Sequence, residues 1–153
     1  MPIISKIELF EQPNKHTLSV RTTIPFHRFP ATAQEVYCSI LEHLGRRNNY
    51  PAGEPFVCYH NTDLENLDVE MGFPVSELVS GNDNIHSNLI SAQKTVSGLF
   101  LGAYEQTDVL LFEMFNWITE HGYKQQGKIY HYYLNNEDRD PNELLTRIVI
   151  PIA

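Results

Sequence analysis

The chain has 153 residues, an apolar content of 42% and a formal net charge of −8. This length predicts a single globular domain, and no apolar run approaches the roughly 18 residues that a membrane-spanning helix needs. The acidic balance disfavours direct binding to nucleic acid, because contacts with phosphates require clustered Lys and Arg.

The first half of the chain predicts two strands, one helix and two further strands. Thr32 and Glu35 fit a capping box that opens the helix, and Gly45 fits the left-handed residue that closes it. Apolar alternation bounded by turn residues predicts the strands at residues 3–10, 18–26, 55–59 and 67–75.

The second half predicts a similar order around a more apolar helix. Thr107 is expected to cap this helix, with Asp108 in the first turn, where the helix dipole favours an acid. The helix is apolar almost all round, which predicts packing on two sides, and it ends at Gly122. Strands are predicted at residues 96–104, 128–134 and 144–152, and the polar stretch SGNDNIHSN (80–88) is predicted as the long connection between the halves.

The two halves are related to each other in sequence. Tyr59 matches Tyr133 and Pro74 matches Pro151, so that matched residues lie about 75 positions apart, a period that suits two halves of one domain. Each half reads β-β-α-β-β or a close variant, which predicts an α+β fold with a concave antiparallel sheet, two main helices and pseudo-twofold symmetry. We therefore expect one domain over residues 1–153, with pseudo-repeats at about 1–78 and 79–153.

Several segments in this order resemble the GyrI-like small-molecule-binding superfamily. The segments are LDVEMGFPV (67–75), GLFLGAY (98–104), FNWITEHGY (115–123), YHYYLNN (130–136) and LLTRIVIPI (144–152). This superfamily supplies the effector-binding domain of AraC- and MerR-type transcription regulators and also occurs as stand-alone proteins. The resemblance implies a ligand held at the seam between the halves. Family members typically bind hydrophobic, often cationic, drug-like molecules between aromatic rings, with an acidic residue as counter-charge.

The chain departs from the family pattern at the acid. Two residues before Tyr133, where the family commonly has an acid, this chain has His131. The acid often found in the closing strand falls at Arg147, whereas the first half keeps Glu70 at the corresponding position. A cationic ligand would therefore need another carboxylate, such as Glu70 or Glu113, or the faces of the aromatic rings.

Ring-bearing side chains are candidates both for lining a pocket and for ordinary core packing. Strand alternation places His131 and Tyr133 on one face. Trp117, the only tryptophan, offers the strongest ring face for a cation, although core packing also explains it. The predicted ligand-binding set is Phe26, Tyr37, Tyr59, Glu70, Phe100, Tyr104, Glu113, Trp117, His131 and Tyr133.

Motifs for catalysis and metal binding are absent from the sequence. There is no phosphate-binding glycine loop, no dinucleotide fingerprint and no Gly-x-Ser-x-Gly elbow, and the seven histidines lack the paired spacing of a zinc site. We therefore expect no cofactor, no metal and no assigned catalytic residue. The first residues do not read as a signal peptide, and Cys38 and Cys58 fit a reduced, cytoplasmic protein.

The leading functional hypothesis is a stand-alone module that senses or sequesters a hydrophobic aromatic, cationic compound. It would serve transcription regulation or multidrug binding, without membrane or direct nucleic-acid contact. Two alternatives stay open: a small hydrolase with His131 as general base, and a gyrase-modulator-type interaction module. A homodimer is an expected assembly because sheet edges need covering, and a separate regulator protein is the partner that the interaction-module alternative implies.

Overall fold

The computed structural model describes residues 3–153, which form two compact units. The N-terminal unit is Pro13–Ala92, and the C-terminal unit combines residues 3–12 with Gln93–Ala153. Within residues 3–153, no helix has the length and apolar character required to cross a membrane.

The order β-β-α-β-β occurs twice along the chain. The elements are β1 (Glu8–Gln12), β2 (Lys15–Ile24), α1 (Phe29–Gly45), β3 (Phe56–Tyr59), β4 (Leu67–Val75), β5 (His86–Ile90), β6 (Gln93–Leu101), α2 (Asp108–Glu120), β7 (Ile129–Tyr133) and β8 (Leu145–Pro151). Short 3₁₀ turns precede both helices, at Phe26–Arg28 and Tyr104–Gln106. The α+β class and the duplicated order predicted from the sequence are confirmed.

Each unit pairs its four strands in the same order, and every pairing within a unit is antiparallel. The N-terminal unit has the order β5-β2-β4-β3. The C-terminal unit has the order β1-β6-β8-β7. β1 belongs to the first repeat in sequence but pairs with β6 in the C-terminal unit. β5 belongs to the second repeat but pairs with β2 in the N-terminal unit. The two units therefore do not coincide with the two sequence repeats.

The stretch predicted as a polar connection contains strand β5, and this prediction is wrong. Most of β5 is exposed, and it lies at the edge of its unit against β2. Backbone pairing rather than apolar burial holds such a strand, so its sequence lacks the alternation that marks a strand. With β5 included, the second repeat has its full set of elements.

The helix boundaries follow proline and backbone geometry rather than the predicted caps. Helix α1 begins at Phe29, three residues before Thr32, with Pro30 in its first turn and no side-chain cap, so the capping-box prediction is wrong. At the start of α2, the Thr107 hydroxyl donates to the Tyr104 carbonyl instead of accepting from the helix.

The left-handed residue after α1 is not the one predicted. Asn48 has a φ of 53°, whereas Gly45 has no positive φ and ends the helix in ordinary helical geometry. The predicted end of α2 is consistent with the structure, because Gly122 has a φ of 77°. Glycine adopts this conformation without the steric cost that other residues meet.

Each helix buries a single apolar stripe. Val36, Ile40 and Leu44 are buried on α1, which packs on β4 and β2. Leu110, Met114 and Ile118 are buried on α2, which packs on β6. Phe112 and Val109 of α2 are exposed, so the predicted packing of this helix on two sides is wrong.

A close approach of backbones at Gly72 generates a stability prediction. A Cβ at this position would collide with the Leu18 carbonyl oxygen and lie 2.8 Å from the Cβ of Ser19, on the neighbouring strand. We expect Gly72→Ala to lower the free energy of unfolding by about 1–3 kcal/mol, measured by urea denaturation. Gly45→Ala is the control, because nothing lies within 4 Å of its Cβ position. Equal stability of the two variants would contradict this account.

Candidate functional site

Strand register determines which side chains of the C-terminal unit lie on the face that carries α2. A Cβ at Gly98 of β6 would lie 3.0 Å from the Leu110 side chain of α2. Gly98 pairs with Ile148, and Ile148 pairs with His131. Directly opposed residues of antiparallel strands project to the same side, so His131 lies on the side of the sheet that carries α2.

Aromatic side chains gather on this same face. Phe100, Thr146 and Tyr133 lie abreast on β6, β8 and β7. The ring of Tyr104, from the 3₁₀ turn before α2, meets the ring of Tyr133 edge-on at 5.1 Å between centroids. We call Phe100, Tyr104, His131 and Tyr133 the C-terminal ring cluster, in which Phe100 is fully buried and the other three side chains are partly accessible.

His131 is partly accessible, yet the surrounding protein removes much of its hydration. Desolvation by burial lowers the pKa of His131 from 6.5 to about 4. The imidazole is therefore neutral near pH 7, and it can take part in hydrogen bonds without carrying a charge.

Glu137 brings a negative charge close to the C-terminal ring cluster. Burial raises the pKa of Tyr104, and the negative charge of Glu137 raises it further. Two other acids of the same loop have partners: Glu143 pairs with Arg139 at 2.8 Å, and Asp140 caps a 3₁₀ turn. Glu137 takes part in none of the ion pairs found within residues 3–153, so its carboxylate is available to a ligand.

The N-terminal unit has an aromatic arrangement of the same kind. Phe26, in the 3₁₀ turn before α1, is stacked with Phe29 at 6.4 Å between centroids. Phe29 is in turn stacked with Tyr59 at 6.1 Å. We call these three residues the N-terminal ring cluster. The two clusters are built alike. Each contains a ring from the 3₁₀ turn before the helix, Phe26 or Tyr104. Each also contains the tyrosine at the end of the third strand of the repeat, Tyr59 or Tyr133.

Contacts of both its hydroxyl and its ring hold Tyr37 within the N-terminal unit. Its hydroxyl donates a hydrogen bond to the Phe56 carbonyl at 2.8 Å. Its ring meets the ring of Phe73 edge-on, with the centroids 5.4 Å apart. The side chain thereby ties α1 to β3 and β4.

Glu70 lies on the face of β4 opposite the one that Tyr59 shares. Tyr59 pairs with Val69, and Glu70 is the next residue, so its side chain projects to the other side. Its carboxylate accepts hydrogen bonds from three side chains: Ser19 Oγ at 2.6 Å, His60 Nε2 at 3.0 Å and Asn88 Nδ2 at 3.1 Å. This carboxylate has internal donors and is separated from the N-terminal ring cluster by the strand.

Glu113 and Trp117 have surroundings of their own on α2. Glu113 is exposed. Trp117 stacks on His121 with centroids 3.8 Å apart and lies parallel to Tyr123 at 6.3 Å, while Lys94 lies over Tyr123. These contacts form a separate aromatic stack at the carboxyl end of the helix.

Two residues of the site escaped the sequence analysis. Phe29 is not in the predicted ligand-binding set, although Pro30 signals the early helix start that places Phe29 on α1. Glu137 belongs to a polar loop, and no sequence pattern reveals its closeness to Tyr104. Within residues 3–153, no group of three or more His, Cys, Asp or Glu side chains is placed to hold a metal ion.

Comparison with known families gives one match over nearly the whole chain. The model of the GyrI-like small molecule binding domain matches residues 5–153. No curated protein sequence matches significantly.

Solved structures share the fold at low sequence identity. The EcmrR C-terminal domain has a TM-score of 0.81 and 20% identity, with 97% of each chain covered. The EcmrR chain of the EcmrR–DNA complex has a TM-score of 0.82 and 20% identity, and the matched region covers 96% of this chain and 57% of the EcmrR chain. A Listeria innocua hydrolase has a TM-score of 0.72 and 11% identity, covering 97% of this chain and 92% of its own. SAV2435 bound to tetraphenylphosphonium has a TM-score of 0.69 and 10% identity, with coverages of 97% and 94%.

The desolvated His131 generates a prediction on pH dependence. Because its folded pKa is depressed, its contribution to stability is present above pH 6.5 and is lost as pH falls towards about 4. The loss amounts to about 3 kcal/mol at most. We expect His131→Gln to remove this loss, measured by urea denaturation at about pH 7.5 and about pH 4.5. A stability difference between wild type and variant that is the same at both pH values would contradict the prediction.

Proposed function

The chain belongs to the GyrI-like small molecule binding domain family, and we propose that it binds hydrophobic aromatic, cationic small molecules against its ring clusters. The observation that carries the proposal is the edge-on pair of Tyr104 and Tyr133 beside the partly accessible His131. These rings offer apolar area together with hydroxyl and imidazole groups that can form hydrogen bonds.

Ring faces suit the class of ligand that we propose. A planar aromatic ligand gains from offset or edge-on contact with tyrosine and phenylalanine rings. A positive charge above a ring face gains roughly 0.5–2 kcal/mol, and more where water is excluded. Phe26 is 51% exposed and stacked on Phe29, so the N-terminal ring cluster also presents a ring face.

We propose Glu137 as the counter-charge for a cationic ligand. Glu70 has three hydrogen-bond donors on the opposite face of its strand, and Glu113 is exposed on α2. Glu137 is the acid whose charge reaches Tyr104. The net charge of −8 adds a long-range attraction for cations, although salt screens this attraction beyond about 10 Å.

Binding is better supported than hydrolysis. A general base works best when its pKa lies near the operating pH, and the pKa of His131 is about 4. At neutral pH this imidazole is a weak proton acceptor. It therefore suits hydrogen bonding to a bound molecule better than activation of water.

We propose that ligand binding serves sensing in transcription regulation or sequestration of the compound. EcmrR is seen in complex with DNA, and the chain spans 57% of the length of that EcmrR chain. The clustered Lys and Arg needed for phosphate contacts are not evident in this acidic sequence. We accordingly propose that these 153 residues make no direct contact with DNA.

Tetraphenylphosphonium is the first probe, since SAV2435 has been seen with it and it combines aromatic rings with a positive charge. We expect it to bind, and at a hundred times its Kd to stabilise the fold by about 2.7 kcal/mol. Tyr133→Ala should weaken binding roughly tenfold, because a ring face is lost. Glu137→Gln should weaken it by roughly two- to fivefold, as expected for an exposed charge pair. Isothermal titration calorimetry measures each Kd.

Two controls separate the ring contribution from the charge contribution. Asp138→Asn removes the neighbouring loop charge and should leave the Kd unchanged. Triphenylphosphine oxide is a neutral, ring-bearing probe, and Glu137→Gln should not alter its binding. If neither probe binds, the proposed function fails. If tetraphenylborate binds as tightly as the cation, the charge assignment fails while ring binding stands.

A further inference from the structure

The outer side of α2 exposes apolar side chains among acids. Phe112 is 67% exposed and Val109 is 52% exposed, one turn apart on the side away from the buried stripe. Asp108, Glu113 and Glu120 are also exposed on this helix. We call these five residues the α2 face. A partner that covered these two side chains would remove apolar surface from water, which favours association.

The duplicated helix shows that the fold does not require this apolar surface. Matching the buried residues Ile40 of α1 and Ile118 of α2 places Gln34 at the position of Phe112. By the same match, the exposed Ala31 stands at the position of Val109. At these two positions α1 has a polar residue and a small residue. Packing of the fold therefore does not explain the apolar pair on α2.

The acids of the α2 face form no ion pair with any residue of the described range 3–153. Helix α2 contains no Lys or Arg. Asp108, Glu113 and Glu120 take part in none of the ion pairs found among residues 3–153. The helix dipole accounts for Asp108 in the first turn, but it disfavours Glu120 in the last turn. An apolar centre flanked by unpaired acids complements an apolar stripe flanked by Lys and Arg.

We propose that the α2 face docks a basic amphipathic helix of a partner protein. Phe112 and Val109 would lie against the apolar stripe of that helix, as the apolar residues of two paired amphipathic helices do. Its flanking Lys and Arg side chains would pair with the acids. A second copy of this chain is disfavoured as occupant, because it would bring the same carboxylates against each other. The proposal is independent of ligand binding at the ring clusters.

A pair of matched peptides tests this docking. One is a helix of about 18 residues with a leucine stripe flanked by lysines, and the other carries glutamates in place of the lysines. We expect the lysine peptide to bind, with amide shifts in the NMR spectrum centred on α2, and the glutamate peptide not to bind. Phe112→Gln, which copies the residue of α1, should weaken the lysine peptide roughly tenfold. Leu41→Gln is the matched control, because Leu41 is a 45% exposed apolar residue on α1.

Charge reversal provides the second arm of the test. Replacing both Glu113 and Glu120 by Lys should weaken the lysine peptide and allow the glutamate peptide to bind. Equal binding of both peptides to the wild type, or equal effects of Phe112→Gln and Leu41→Gln, would overturn the proposal. A dimer of the wild type that Phe112→Gln dissociates would overturn it as well, since the face would then serve a second copy.

Discussion

The register of β8 against β6 and β7 is the constraint on which the C-terminal ring cluster depends. It sets Phe100, Thr146 and Tyr133 abreast, and it aligns His131 with Ile148 on the side of α2. Side chains alternate between faces with a period of two, so a slip of one residue in β7 would turn His131 away from α2. The buried Tyr130 and Tyr132 of β7 oppose such a slip, because it would exchange their positions with those of the partly accessible His131 and Tyr133.

The two units share their strand order but differ in their charges. Glu70 follows the partner of Tyr59 on β4, and Arg147 follows the partner of Tyr133 on β8, so these two residues occupy equivalent positions. In the N-terminal unit the acid is bound by Ser19, His60 and Asn88. In the C-terminal unit the equivalent arginine is exposed. Duplication preserved the scaffold, while the polar contacts at this position diverged.

Long strands with strong apolar patterns could be predicted from the sequence. An exposed edge strand and contacts that depend on turn or loop conformation could not. The strand Leu67–Val75 was predicted with its observed bounds, because a buried face leaves a clear pattern. β5 left no such pattern, since it is an exposed edge. Ring-bearing candidates such as Tyr104 and Tyr133 could be named from the sequence. Their contact could not, because it depends on how the turn before α2 meets the end of β7. The proximity of Glu137 to Tyr104 depends on loop conformation in the same way.

One stretch of backbone carries both proposed binding surfaces of the C-terminal unit. Tyr104 belongs to the 3₁₀ turn that runs into α2, and the Thr107 hydroxyl donates to the Tyr104 carbonyl at 2.9 Å. Phe112 lies two turns further along. A ligand that draws Tyr104 towards itself therefore acts on the first turn of the helix that bears the α2 face. If both proposals hold, any such coupling must be reciprocal: a docked helix would change ligand affinity by the same factor as the ligand changes docking.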